Sequence, residues 1–252
     1  MKIGIIGAGQ IGATLAAQYI RAGHNVKVAN ARNQARLMEV TALTGAAAVT
    51  LIDVTIGVDV LVVSIPFLEI PNLASALDGM ISPATVIIDT TNYYPIRDGR
   101  VDAVEDGLPE SIWVSQQLSH RVVKAYNSIL AGSLVKAGRP NGSASRIALP
   151  VSGDDAGQKQ KAMRLVNNSG FDAFDAGSLG ASWRQQPGSP AYCTDLSLAA
   201  LINNLPLAQR ELLPARRETA LQFILQQNPD HWLSWYKECV ANNRIIFETQ
   251  PG

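Results

Sequence analysis

The chain has 252 residues, 47% of them hydrophobic and 17% charged, enough to bury one large core or two modest ones. Its 21 basic and 21 acidic residues cancel and no long basic run exists, which argues against nucleic acid or an anionic membrane as the main partner. Cys193 and Cys239 stand far apart, with no Cys-x-x-Cys and no metal-ligand spacing, so free thiols in a reducing compartment are expected and a metal site is not.

Glycines interrupt the N-terminal apolar run too early for a signal peptide, and no apolar stretch reaches the roughly twenty residues of a spanning helix. A soluble, cytoplasmic protein is expected. Residues 2–6 read as a buried strand that runs directly into Gly7-Ala8-Gly9-Gln10-Ile11-Gly12, and the helix-forming Ala13-Thr14-Leu15-Ala16-Ala17 follows. Gly-x-Gly-x-x-Gly between a strand and a helix is the fingerprint of a dinucleotide site. Gly7 permits the tight turn, Gly9 lets the backbone approach a pyrophosphate, and Gly12 lets the helix pack close to the sheet. The helix N-terminus directs unpaired amides and a positive dipole end at the phosphates, and Gln10 and Ile11 are expected to bind the cofactor with the three glycines.

The next strand, 25–29, ends at Asn30-Ala31-Arg32-Asn33. Sites for NAD place an acid near this point to bind the ribose 2′-hydroxyl, and none is present here. Asn30 can donate to a 2′-phosphate and Arg32 can pair with it as a fork. The expected cofactor is therefore NADP(H); the bland alternative makes Arg32 a solvated residue opening the next helix.

Further strands are expected at 46–49 (weakly), 60–65, 85–89, 121–125, 146–149 and 171–175, with helices at 34–43 and 155–169 between them. Asp155 lies in the capping stretch of the last helix and Gly170 ends it. The alternation predicts an α/β fold: a Rossmann-type, doubly wound, mostly parallel sheet covered on both faces over residues 1–177. Residues 178–193 are irregular. Helices are then expected from Thr194-Asp195, across Arg216–Gln226 and from Asn228-Pro229, which makes 178–252 a small C-terminal helical domain.

In doubly wound sheets ligands lie outside the carboxyl ends of the strands. Those ends carry Ser64-Ile65-Pro66, Asp89-Thr90-Thr91-Asn92 and Ala125-Tyr126-Asn127-Ser128. Such residues suit a carboxamide, a ribose and a flat redox partner, although each one singly also suits a turn or a helix cap.

These motifs, together with Val122-Val123-Lys124 before Ala125, resemble the deazaflavin (coenzyme F-420)-dependent NADP reductase family. The cytoplasmic reductase domains of certain metal-reducing membrane proteins are similar. The resemblance covers roughly residues 1–176. It implies a Rossmann domain closed by a small C-terminal segment, and hydride transfer between NADPH and an 8-hydroxy-5-deazaflavin; beside the resemblance, a flavin stays open as the acceptor. It also implies that Ser64, Pro66 and Asn92 lie by the cofactor, and that Ala125, Tyr126 and Asn127 approach the nicotinamide. Two departures bear on the acceptor. The family's Asn-Pro after the fifth strand is here Asn92-Tyr93-Tyr94-Pro95, and the C-terminal tail is longer and more helical.

Hydride transfer to a flat ring needs alignment more than an acid or base. None of His24, His120 and His231 is expected to be catalytic. The catalytic candidates are Asn92, Tyr126, Asn127 and Arg184. The segment from Ser182 to Tyr192 is expected to roof the nicotinamide pocket, Trp183 and Tyr192 giving flat surface and Arg184 meeting an anionic group; its alternative is a linker that pins the tail to the sheet. Two other functions stay open. A hydroxy-acid or imine dehydrogenase would need an acid/base such as Lys159 or Lys161, which better suit a solvated helix face. A non-catalytic NADPH sensor would need none. The expected partner is a small redox acceptor, and the aromatic late helix (Trp232, Trp235, Tyr236) would also suit a homodimer.

Overall fold

A computed structural model describes residues 1–249 of the chain; residues 250–252 of the expected C-terminal segment lie outside the described residues. The strands are β1 (Lys2–Ile6), β2 (Asn25–Ala29), β3 (Ala47–Ala48), β4 (Val60–Val63), β5 (Val86–Asp89), β6 (Val122–Lys124), β7 (Ala148–Val151) and β8 (Asp172–Asp175). The helices are α1 (Gln10–Arg21), α2 (Gln34–Thr44), α3 (Ile70–Ala76), α4 (Pro95–Asp98), α5 (Asp102–Glu105), α6 (Glu110–Gln117), α7 (Ala131–Lys136), α8 (Ala156–Asn168), α9 (Leu198–Asn204), α10 (Leu213–Leu225) and α11 (Trp232–Ile246).

The main sheet has the order β3-β2-β1-β4-β5-β6, and every pair in it is parallel. Its strands are mostly apolar because both faces are covered, and the side-chain period of two divides them cleanly. Ile3, Ile5, Val60, Val62, Val86 and Ile88 enter one core beside Leu15 and Tyr19 of α1 and Leu165 of α8. Ile6, Leu61, Val63 and Ile87 enter the other, beside Phe67, Leu73, Tyr93 and Val114.

The strands expected at 146–149 and 171–175 do form, but not in the main sheet. β7 and β8 pair with each other in parallel and meet β6 only at an antiparallel bridge between Lys124 and Ser152. The reason lies on the other edge of β7. Ala148 N–H donates to the Leu196 carbonyl, and Pro150, two residues on, has no N–H to offer a ladder.

The expected helix at Thr194-Asp195 begins later. Ser197 caps α9, while Asp195 adopts φ +49° and Thr194 Oγ1 donates to the Pro190 carbonyl at 2.8 Å. Asn228 does open the last helical stretch, its side chain accepting from Asp230 N–H, but a single 3-10 turn precedes α11. Helix α11 lies on α7 because Gly132 has no Cβ: one there would stand 2.3 Å from Cγ of Tyr236. Cys193 and Cys239 are buried free thiols. Among the described residues no helix is long and apolar enough to cross a membrane.

Candidate functional site

The glycine loop shows what each of its glycines does. Gly7 has φ +110°, and a Cβ there would stand 2.0 Å from the Ser64 carbonyl oxygen. A Cβ on Gly12 would stand 2.1 Å from the Gly7 carbonyl oxygen. Gly9 differs: nothing lies within 4 Å of the position a Cβ would take. Two glycines therefore let backbone meet backbone, and the middle one faces open space. Gly9 also N-caps α1 without a side-chain hydrogen bond, which leaves the first-turn amides free for an anion. A pyrophosphate fits this cradle.

Beside the loop lies a cavity of about 360 Å³. Its lining brings together the expected Gly7, Gly9, Asn30, Arg32, Ser64, Ile65 and Pro66, and adds Leu51, Leu73, Ala76, Glu69 and Asn72. The apolar members suit an adenine, and Asn30 and Ser64 its ribose. A second cleft of about 550 Å³ shares Gly9, Asn30 and Arg32 with the first and adds Gln10, Asn33, Arg36 and, from α11, Trp232 and Leu233. Ile11 is half-buried against the α1 core.

Three polar residues after β2 have distinct local jobs. Asn33 caps α2, its Oδ1 accepting from Arg36 N–H at 2.8 Å. Asn30 Nδ2 reaches the Asn33 carbonyl at 3.4 Å. Arg32 pairs with Glu69 across the cavity. Arg36, which sequence reasoning missed, points back at the glycine loop: its Nε donates to the Ala8 carbonyl at 3.2 Å and its Nη1 meets Glu39 at 2.8 Å. Its signal was a second arginine in the first turn of the helix that follows the β2 tip.

At the ends of β5 and β6 the expected residues do not share one environment. Asn92 and Asn127 face each other, with Asn92 Nδ2 donating to the Asn127 carbonyl at 2.9 Å and Asn127 Nδ2 to Asn92 Oδ1 at 3.1 Å. Gln185 completes the group: its Nε2 donates to Asn127 Oδ1 at 2.9 Å and its Oε1 accepts from Ser152 Oγ at 2.7 Å. Ala125 is buried, its N–H given to the Asp89 carbonyl.

Tyr126 is a correction. With φ +61° its side chain turns into the core under α1, where its hydroxyl accepts from Tyr19 Oη at 2.9 Å and meets Ser169 Oγ at 3.2 Å. Burial pushes its pKa up. That hydroxyl does not face the strand-end edge.

The segment 182–192 also divides. Two guanidinium groups lie over the Trp183 ring, Arg184 at 4.5 Å and Arg210 at 4.7 Å from its centre. Trp183 lines a different cleft, of about 280 Å³, with Glu110, Gln186 and Arg217. Tyr192 is buried against Phe247 and its hydroxyl meets that of Tyr94 at 2.7 Å. Tyr192 thus acts as a pin. Arg97, not Arg184, reaches the Asn92 backbone, donating to its carbonyl at 2.6 Å.

Under this edge sits a charge cluster that sequence reasoning did not single out. Lys124 is fully buried; its Nζ donates to the Thr91 carbonyl at 2.6 Å and lies 3.4 Å from Asp89 and 3.3 Å from Glu110. Asp89 also accepts from Thr91 N–H and Oγ1 and from Ser111 Oγ. Burial raises the Glu110 carboxyl above the ordinary range, and Lys124 pulls it back in part. The ammonium ties the Thr91 backbone, and so Asn92, to β6. A lysine inside an apolar strand was the available signal, since a buried lysine demands partners.

The histidines hold backbone and side-chain contacts at the periphery: His24 with the N-terminal amine and Asn168, His120 with the Arg121 and Ser82 carbonyls. Lys159 pairs with Asp175 at 2.7 Å.

A parallel sheet in this order, with an open glycine cradle at the β1–α1 turn, defines a Rossmann-type oxidoreductase of the nicotinamide-dinucleotide class. Residues 2–93 match the family model described as NADP oxidoreductase, coenzyme F420-dependent, and the chain belongs to that family. It is 38% identical over 109 residues to the Escherichia coli (strain K12) protein YjhV, a stretch that is 42% of this chain and 76% of that one. The crystal structure of the hypothetical protein SMa0349 from Sinorhizobium meliloti is similar at TM-score 0.67 and 28% identity, covering 78% of this chain and 95% of that chain. A candidate F420-dependent NADP reductase from Arthrobacter sp. FB24 shares the fold at TM-score 0.59 and 21% identity, over 72% of this chain and 87% of its own.

Proposed function

We propose that this chain is an NADPH-dependent reductase that passes a hydride between NADP(H) and a small, flat acceptor of the deazaflavin or flavin class. One observation carries the cofactor half: an open, amide-lined cradle at Gly9 flanked by Arg32 and Arg36, with no acid from Asn30 to Asn33. The cradle holds a pyrophosphate, and the two guanidinium groups stand where a ribose 2′-phosphate would be received. Ser64, Ile65 and Pro66 form the wall along the adenosine. Asn92, Asn127 and the Ala125 backbone stand at the strand ends, toward the nicotinamide. The nicotinamide supplies the hydride when bound. The protein's part is to hold the two rings in register and exclude water, and positioning of this kind can lower the barrier by up to about 7–11 kcal/mol. The family match supports a deazaflavin as the acceptor.

Calorimetry of the full chain with NADPH and NADH tests the cofactor. A charged hydrogen bond contributes about 1.5–3 kcal/mol, so a preference for NADPH of roughly ten- to a hundredfold is expected, collapsing in Arg32→Ala. No binding, or a preference for NADH, overturns the reading. NADPH oxidation against a panel of deazaflavin, flavin, quinone and ferric acceptors tests the reaction. Tight binding with no turnover on any of them makes the protein a sensor instead.

A further inference from the structure

The adenosine-end cavity holds one more charge than a 2′-phosphate site needs. Glu69 ends the 3-10 turn Phe67–Glu69 that follows β4, and it lines the cavity together with Arg32 and Asn72. Its Oε2 accepts from Asn72 Nδ2 at 3.0 Å, and its Oε1 is paired with the Arg32 guanidinium. The Glu69 side chain is only 17% exposed, against 63% for Arg32, so the carboxylate is the more buried partner, held also by Asn72, and the guanidinium the one open to solvent. The hydrogen bond from Asn72, and then that from Arg32, hold the carboxyl below its ordinary range, so it carries a full negative charge at neutral pH.

The acid that is missing from the tip of β2 is thus replaced by one from the opposite wall, on a different strand end. A phosphate arriving at Arg32 meets a guanidinium that already has an anion. It must either displace Glu69 or share the fork with it, and two like charges then face each other across one cation. A ribose without the phosphate asks nothing of Arg32 and leaves the pair intact.

We propose that Glu69 is a specificity-determining residue: a resident counter-ion that a 2′-phosphate must displace from Arg32, which narrows the preference for NADPH over NADH. The inference rests on the NADP reading above. It makes Arg32 and Glu69 a single device, in which the arginine selects for the phosphate and the glutamate sets how strongly.

Glu69→Gln tests it in the full chain, with binding of NADPH and NADH read separately by calorimetry. Glutamine keeps the shape and can still meet Asn72, and a thermal melt beside the calorimetry checks that the variant is folded. NADPH is expected to bind about tenfold more tightly, the worth of one competing charged hydrogen bond, while NADH moves by less than about twofold. An unchanged or weaker affinity for NADPH in Glu69→Gln, or an equal gain for both nucleotides, overturns the proposal. Failure of the wild-type chain to bind NADPH in preference to NADH refutes the cofactor reading itself, before any variant is made.

Discussion

Lys124→Met is the sharpest test of the buried charge cluster. The substitution keeps the volume and removes the cation, leaving Asp89 and Glu110 in the core without it. Breaking a buried ion pair by removing one partner costs about 3–5 kcal/mol, and in a protein of this size each kcal/mol shifts Tm by about 2–4 °C. The expected fall is therefore roughly 6–20 °C. Asp89 keeps its bonds from Thr91 and Ser111, so the residual stress falls on Glu110. Its folded pKa is raised by burial, and losing Lys124 raises it further. A carboxyl whose folded pKa is raised contributes most below its unfolded pKa, and that contribution is lost as pH climbs through the folded value. The variant's deficit should thus be larger at pH 8 than at pH 5. Thermal melts by circular dichroism across that range read both numbers, and adding Glu110→Gln to the variant should recover part of the loss. A wild-type Tm, or a deficit that is the same at both ends of the range, refutes the reasoning.

The glycine loop and the tyrosine correction give two further expectations. Gly12→Ala places a methyl 2.1 Å from a backbone oxygen that no rotamer can move, so α1 must shift. Overpacking of this kind costs about 1–3 kcal/mol, and NADPH binding by calorimetry should fall together with Tm. Tyr126→Phe removes a hydroxyl that bonds Tyr19 and Ser169 in the core. Tm should drop by a few degrees, for about 1 kcal/mol, while the affinity for NADPH stays unchanged. A changed affinity would return Tyr126 to the site.

The first β–α–β unit was legible because its signals are local. Strand, glycines and helix are adjacent in the chain, and each glycine's role follows from the contact it permits. That Asn30, Arg32, Ser64, Ile65 and Pro66 line one cavity beside the loop was legible for the same reason, since strand ends in a parallel sheet all open on one edge. What escaped was set by distant partners. The position of β7 and β8 depends on Leu196 occupying an edge that composition alone cannot reveal. The inward turn of Tyr126 depends on a positive φ that a tyrosine seldom adopts. Glu69 lies 37 positions from Arg32 in sequence, and only the sheet topology makes them neighbours. Lys124 stood inside a motif quoted for its flanking residues, but its three anionic and carbonyl partners come from β5, the following loop and α6.

The stretch after Gly177 is stitched into the sheet rather than hung from it. Gln185 satisfies Asn127 and Ser152, Leu196 receives the Ala148 amide, and Asp195 accepts from Ser133. A chain cut at Gly177 would strand each of those buried groups at once, along with the underside of α7 where Tyr236 now sits. The nucleotide-binding half is thus no portable cassette. Anyone seeking to graft it, shorten it or fuse it elsewhere must carry the whole seam.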